Sequence, residues 1–197
     1  VSGDGRHGRV SAGPRQGRPA EAGPVEARPA VAGPVTVRQA RPADVRAIFD
    51  LVQPYVAERI LIDKELISYF EAVQEFVVAE EDGRVIGCGA LHVLWDDIAE
   101  VRTLAVDRAA TGRGLGARLL AELVDRARAL GLRRVFCLTF EVAFFRRHGF
   151  RPIEGTPVGT DVYAQMLRSH DDGVAEFLDL ARVKPNTLGN TRMLLEL

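Results

Sequence analysis

Val101-Arg102-Thr103-Leu104-Ala105-Val106-Asp107-Arg108-Ala109-Ala110-Thr111-Gly112-Arg113-Gly114-Leu115-Gly116-Ala117-Arg118-Leu119-Leu120 is the stretch on which the fold turns. A strand pattern leads into a short connection, then glycines at alternate positions, then a strong helix pattern. Glycine lets neighbouring amides converge without a Cβ in the way, and a helix start adds partial positive charge. Together they make an anion cradle suited to a diphosphate. The stretch lacks G-K-[ST], so it is not a P-loop, and its glycines do not fit G-x-G-x-x-G. A dinucleotide-binding fold is therefore not expected. On this stretch alone, a purely structural strand-to-helix turn remains the alternative.

Downstream, Leu115, Leu119, Leu120, Leu123, Val124, Ala127 and Leu130 repeat at helical spacing, and Gly131 ends the helix. Residues 134–140 are a near-continuous apolar run, as in a strand covered on both faces. A short helix is expected over 142–147, closed by Gly149, with another strand starting at Phe150 and Ile153. Residues 161–180 read as mostly helical, and 192–197 as a last strand. Upstream, 98–106 is a strand, and 76–79 and 85–94 form a hairpin across Asp82-Gly83. Val45, Ile48, Phe49, Val52 and Val56 mark a helix that begins near Pro42 and Asp44, and a second helix is expected over 64–73. The order predicts an α/β fold: a mixed, mostly antiparallel sheet flanked by helices.

Residues 1–35 contain no Leu, Ile or aromatic residue and carry five of the ten prolines, at 14, 19, 24, 29 and 34. The repeating SAGPRQGRPA, EAGPVEARPA, VAGPVTVRQA removes amide donors and offers too little apolar surface to offset ordering entropy. A disordered tail or linker over 1–35 and a folded domain over 36–197 are expected. The start lacks the apolar core of a secretory signal. Formal net charge is −1, which argues against a chain that wraps nucleic acid. No apolar run of about 18 residues predicts a membrane span. Cys88 and Cys137 lie apart in apolar stretches, with neither disulfide nor zinc spacing. A cytoplasmic location and no metal are expected.

Leu104-x-Val106 followed by Gly114-x-Gly116, with Phe144-Phe145-Arg146-Arg147-His148-Gly149-Phe150 after a strand, resembles the signature of the GNAT superfamily of N-acetyltransferases. The family's Gln or Arg before the glycines is Thr111 here. The resemblance implies that the strand carrying Leu104 and Val106 parts from the next strand, and that acetyl-CoA slots between them on their backbone groups. It implies that the amides of Thr111, Gly112, Arg113, Gly114, Leu115, Gly116 and Ala117 take the pyrophosphate. A backbone N–H near Leu104 would polarise the acetyl carbonyl. Phe145 stands where many members place a tyrosine acid beside the thiol, so the cofactor site is expected to include Phe145 without that acid.

Ile60-Leu61-x-x-Lys64, Tyr69 to Phe76, Gly87 to Leu91, Phe140-Glu141, Gly155 to Val158 and Val183-Lys184-Pro185-Asn186 to Met193 are similar to the short, single-domain N-acetylglutamate synthases of actinobacteria. That resemblance implies acetyl transfer to the α-amine of L-glutamate, for arginine biosynthesis, with small-molecule partners only; a homodimer is one assembly left open. Longer relatives carry a kinase-like domain that does not fit in this length. Glu100 matches the base carboxylate, the alternative being an edge glutamate salt-bridged to Arg102. Lys64 matches a substrate-binding cation. Arg102 falls on Glu100's side of the strand by alternation, unless a bulge intervenes. Arg-x-Ser of the larger enzymes reads Gly189-Asn190-Thr191, so Thr191 inherits the Ser role, and Lys184 or Arg192 the Arg role. Asn186 is an amide contact or a turn residue. His92, His148, Cys137 and Trp95 read as structural, and Asp171-Asp172-Gly173 as a loop. Two rivals stay open: an acetyltransferase for another amine, and a non-catalytic acyl-CoA sensor. A polycation acceptor would require carboxylates around the site.

Overall fold

A computed structural model describes residues 33–183 and 189–197. The tail expected over 1–35 therefore lies almost wholly outside the described residues, as do Lys184 and Asn186. In chain order the elements are β1 (Thr36–Gln39), α1 (Val45–Ala57), α2 (Leu66–Glu71), β2 (Phe76–Glu81), β3 (Arg84–Val93), β4 (Ile98–Val106) and α3 (Leu115–Ala129). There follow β5 (Arg134–Thr139), α4 (Val142–Arg147), β6 (Arg151–Pro152), α5 (Thr160–Met166), α6 (Asp172–Phe177) and β7 (Thr191–Glu196). One sheet contains all seven strands in the order β1-β2-β3-β4-β5-β7-β6. Its pairs are antiparallel except β4 with β5. This is the mixed, mostly antiparallel α/β sheet that the sequence predicts.

Local chemistry explains most boundaries. Asp82 and Gly83 both have positive φ, 49° and 76°, which is the twist a two-residue hairpin needs. The apolar stripe of α3 is buried as expected through Ala127, but Leu130 is the C-cap and stays 59% exposed. The helix expected over 64–73 shortens to α2 plus a 3-10 turn at Val73–Glu75. The helical stretch expected over 161–180 is broken in two, and the expected loop at Asp171-Asp172-Gly173 is in fact the capped start of α6: the Asp171 carboxylate accepts from the Val174 N–H at 2.9 Å.

Two faces of the sheet carry different cores. Val101, Val135, Cys137 and Met193 pack under α3, with Phe145 of α4 in the same cluster. On the opposite face, Val78, Cys88 and Ala90 pack under α1 and α2, while Ile98, Phe136 and Leu138 pack under α5 and α6. The register aligns Ala90 with Arg102 and His92 with Glu100. By alternation His92, Glu100 and Arg102 share this second face, at the seam between its two cores.

Candidate active site

Two irregularities of β4 shape the site. First, its parallel pairing with β5 covers only Ile98↔Arg134, Ala99↔Val135 and Glu100↔Phe136. From Val101 to Val106 the strand has no β5 partner, which is the parting that the sequence resemblance implies. Second, Ala90 faces Arg102 but Cys88 faces Ala105, so Gly89 alone spans Thr103 and Leu104. This is a β-bulge, and Thr103 carries its strain at φ 55°, the left-handed region. The bulge resets the alternation: Arg102 stays on the seam face, while Leu104 and Val106 turn to pack against the core under α3. The bulge comes after Arg102, so alternation correctly puts Arg102 beside Glu100.

Past β4 the chain tightens. Asp107 accepts a hydrogen bond from the Ala109 N–H at 3.0 Å, and the Thr111 hydroxyl donates to the Arg108 carbonyl at 2.8 Å. Gly112 and Gly114 then take φ values of 77° and 74°. Nothing lies within 4 Å of where their Cβ atoms would be, so conformation rather than crowding requires glycine there. Gly114 caps α3 without a side-chain hydrogen bond. The amides of Leu115, Gly116 and Ala117 are the first of that helix and lack intrahelical acceptors. Arg113 is paired with Glu81, at 3.0 Å for one of its two bonds, so the corner's attraction for an anion comes from main-chain groups. Phe144 lies 3.6 Å from the Cβ position of Gly116. Phe145, expected in the cofactor site, is instead a core ring 5% exposed and packed edge-on against Phe150. One step along a helix turns a side chain by about 100°, and here that puts Phe144 beside the glycines.

The seam face holds the charges. Glu100 is 4% exposed. Arg102 Nη2 lies 3.0 Å from Glu100 Oε2, and the same guanidinium grips both oxygens of Asp171 at 3.1 and 3.2 Å. Burial pushes the Glu100 carboxyl above its usual range, and Arg102, His92 and Lys64 only partly offset it. Asp171 goes the other way: despite burial, Arg102 and the Val174 N–H hold it down at about 2. Gly173 leaves room for this pair, because a Cβ there would sit 2.6 Å from Arg102 Nη2 and 3.0 Å from Asp171 Oδ1. Across the strand from Glu100, His92 Nδ1 meets Glu75 Oε1 at 2.7 Å. A cavity of about 450 Å³ opens here, lined by Lys64 and Glu65 before α2, Glu71 at its end, Glu75 after it, and Arg102 and Asp171 opposite.

That lining corrects one expectation. The sequence points to Lys64 and Arg102 as the cations of the acceptor side, yet Asp63, Glu65, Glu71, Glu75, Asp171 and Asp172 also line the cavity. Carboxylates are therefore present, and their absence cannot be used against a cationic acceptor. Arg102 is moreover committed to two acids. Arg192 is likewise engaged: it donates to the carbonyls of Gly155 and Glu176 at 2.9 Å and to that of Phe177, with its guanidinium 5.0 Å above the Phe136 ring. This corrects its expected role as the replacement for the missing Arg. Thr191 pairs with Thr139 in the β5–β7 ladder. Sequence reasoning missed Asp171, Glu75 and Glu176. The signal for Asp171 was an Asp just before an apolar run, a helix-cap pattern. For Glu176 it was one charge inside Val174-Ala175-Glu176-Phe177-Leu178.

A sheet that opens beside a glycine-rich helix start, with a buried carboxylate at the fork, defines an acyl-CoA-dependent transferase. Residues 45–150 match the acetyltransferase (GNAT) family, and the chain belongs to that family. A relative from Mycobacterium tuberculosis named amino-acid acetyltransferase is 59% identical over 162 residues, covering 81% of this chain and 92% of the relative. The structure of Rv2747 from Mycobacterium tuberculosis, solved with CoA and a second ligand, matches with a TM-score of 0.80 at 59% identity, over 82% of this chain and 99% of that one. N-acetylglutamate synthase from Neisseria gonorrhoeae, complexed with coenzyme A and N-acetyl-glutamate, matches with a TM-score of 0.66 at 26% identity. That match covers 83% of this chain but only 35% of the longer enzyme. Among the described residues no helix is long and apolar enough to cross a membrane, and no group of three His, Cys, Asp or Glu could hold a metal ion.

Proposed function

We propose that the chain transfers the acetyl group of acetyl-CoA to the α-amine of L-glutamate, giving N-acetylglutamate and CoASH. The observation that carries this reading is the position of Glu100: a buried carboxylate on the last residue of β4 that pairs with β5, bonded to the Arg102 guanidinium that lines the charged cavity. The near-complete match to the mycobacterial amino-acid acetyltransferase supports an amino acid as acceptor. The synthase complexes with CoA support glutamate among amino acids.

In this reading the pantetheine lies along the free edge of β4 at Leu104 and Val106, and the diphosphate sits on the amides from Thr111 to Ala117. Glutamate arrives as an ammonium. Its first proton passes to the Glu100 carboxylate, whose raised proton affinity suits it to accept one. The nitrogen lone pair then attacks the thioester carbonyl, with the Leu104 N–H facing the developing oxyanion. The C–S bond breaks, and the second amine proton goes to the departing thiolate. No tyrosine acid is invoked: the ring beside the glycines is Phe144, which has no proton to give, and Phe145 is buried in the core. Lys64 faces a substrate carboxylate. Thr191, with Lys184 and Asn186, remains assigned to the acceptor side.

The acetyltransferase domain is taken as 36–197, working on small molecules as a cytoplasmic enzyme, and a homodimer is its proposed assembly. Val35 already packs on the core, so truncation after residue 32 is the cut that leaves turnover unchanged. The test is thiol release from acetyl-CoA with a panel of amino acids, spermidine and an aminoglycoside. Glutamate-dependent release supports the reading. Release with the polyamine instead, or acetyl-CoA binding without turnover on any amine, replaces it.

A further inference from the structure

Among the described residues three buried polar or charged side chains stand in the interior: Glu100, Thr139 and Glu176. Two are satisfied, Glu100 by Arg102 and Thr139 by the Glu141 N–H. Glu176 is 5% exposed and its Oε1 has no hydrogen-bond partner. Leaving such a group unmet is costly, and native proteins rarely do so without a use for it.

The frame around Glu176 is fixed. Asp171 caps α6 and is clamped by Arg102, while Arg192 holds the Glu176 carbonyl at 2.9 Å. The side chain is therefore presented by a rigid element on the same face as Glu100. The charges it meets are Glu100 and Arg102 from β4, Lys64 from before α2, and Asp172 from its own helix. Arg192 from β7 reaches its backbone but is used up on carbonyls. Arg102 already serves Glu100 and Asp171. Among the described residues Glu176 is thus a buried carboxyl beside this charge cluster whose Oε1 no fixed donor meets.

We propose that Glu176 recognises the acceptor's ammonium group, forming with Glu100 a two-carboxylate receptor that selects an amine-bearing amino acid over the same acid without its amine. The inference deepens the acetyl-transfer reading and rests on it. Burial and the nearby Glu100 charge raise the Glu176 carboxyl to about 7, so an arriving cation meets a group that is ready to ionise. Sequence alone places Glu176 some 76 positions from Glu100, and α6 brings it to the same face.

The experiment compares Glu176→Gln with the wild type on L-glutamate and on glutarate, which is glutamate without its amine. The expected result is a glutamate KM at least tenfold higher in the variant, with the inhibition constant of glutarate unchanged or lower and the acetyl-CoA KM within twofold. A Tm at pH 8 no lower than that of the wild type shows an intact fold, since a carboxyl raised to about 7 costs stability progressively as pH rises from its ordinary value to about 7, and at pH 8 that cost is fully present in the wild type. Equal weakening of glutamate and glutarate, or no change in either, overturns the proposal. If the wild type acetylates a different amino acid from the panel, that amino acid and its deaminated acid form the pair. A wrong substrate is then told apart from a wrong receptor. If no amine turns over, calorimetric binding of the same pair decides, and lack of preference for the amine overturns the proposal.

Discussion

The glycine turn after β4 and the charged cavity beside it share one strand and are built in opposite ways. The turn is continuous in sequence and made of main chain: two glycines in the left-handed region, a helix start, and amides with no competing side chain. The cavity is discontinuous and made of side chains drawn from residues 63–76, 102–103 and 170–172, held by ion pairs across 69 positions of chain. A main-chain cradle offers the same groups to any diphosphate. A cavity of side-chain charges can be retuned residue by residue, so the donor corner carries what a whole family shares and the acceptor cavity carries what distinguishes its members.

The sharpest way to break that division is Glu100→Gln. It removes the proposed base and leaves the glycine turn untouched, so kcat falls about 100-fold or more while calorimetric affinity for acetyl-CoA is unchanged. An equal loss of both would mean that Glu100 supports the donor corner as well. The converse is Gly114→Ala. At φ 74° an alanine side chain costs about 1–2 kcal/mol, and relief by rotation turns the first helical amides away. The acetyl-CoA KM rises about tenfold, as such an energy implies, and the amino-acid KM stays put. A rise in the amino-acid KM instead would dissolve the separation of the two regions.

The same contrast explains what could be read from the chain. Helix α3, the β2–β3 hairpin and the glycine turn depend on neighbours within a few residues, and periodicity with turn chemistry locates them. The bulge does not: a β-branched Thr103 is among the residues least expected at positive φ, and only the two-against-one pairing with Gly89 imposes it. Glu100 and Arg102 were legible as a pair because they share one strand face. That Arg102 is occupied by Asp171 was not, because that contact depends on α6 folding back over the seam. The offset between Phe144 and Phe145 was hidden for a related reason, since a six-residue helix leaves the azimuth of a single ring to packing.

Asp171→Asn tests whether the clamp on Arg102 belongs to the acceptor cavity or only to stability. The Asp171 carboxyl sits at about 2, below its ordinary value, so its contribution is present above that ordinary value and is lost as pH falls through about 2. At pH 7 the variant loses about 1 kcal/mol, a figure discounted because the side chain is one-third exposed, or ~3 °C in Tm. Thermal scans show the gap closing between pH 4 and pH 2. Arg102 keeps Glu100 as a partner, and kinetics show a glutamate KM raised about threefold, a coupling under 1 kcal/mol, with the acetyl-CoA KM flat. A variant whose acetyl-CoA KM moves instead would tie α6 to the donor side.

Lys64→Ala is the mildest change and bears on the cavity's excess of acid. Lys64 is half-buried on a wall that also carries Asp63, Glu65 and Glu71, so its pull on a substrate carboxylate is felt partly through water and is screened by salt. The glutamate KM should rise about fivefold, close to 1 kcal/mol, with kcat within about twofold. Raising ionic strength should weaken glutamate binding by the wild type and largely erase the difference from the variant. If the difference persists in high salt, Lys64 acts in a dry contact, and the wall around it must close when the acceptor binds. If there is no difference at any salt concentration, the substrate carboxylate is met elsewhere, and the acidic lining serves only the amine.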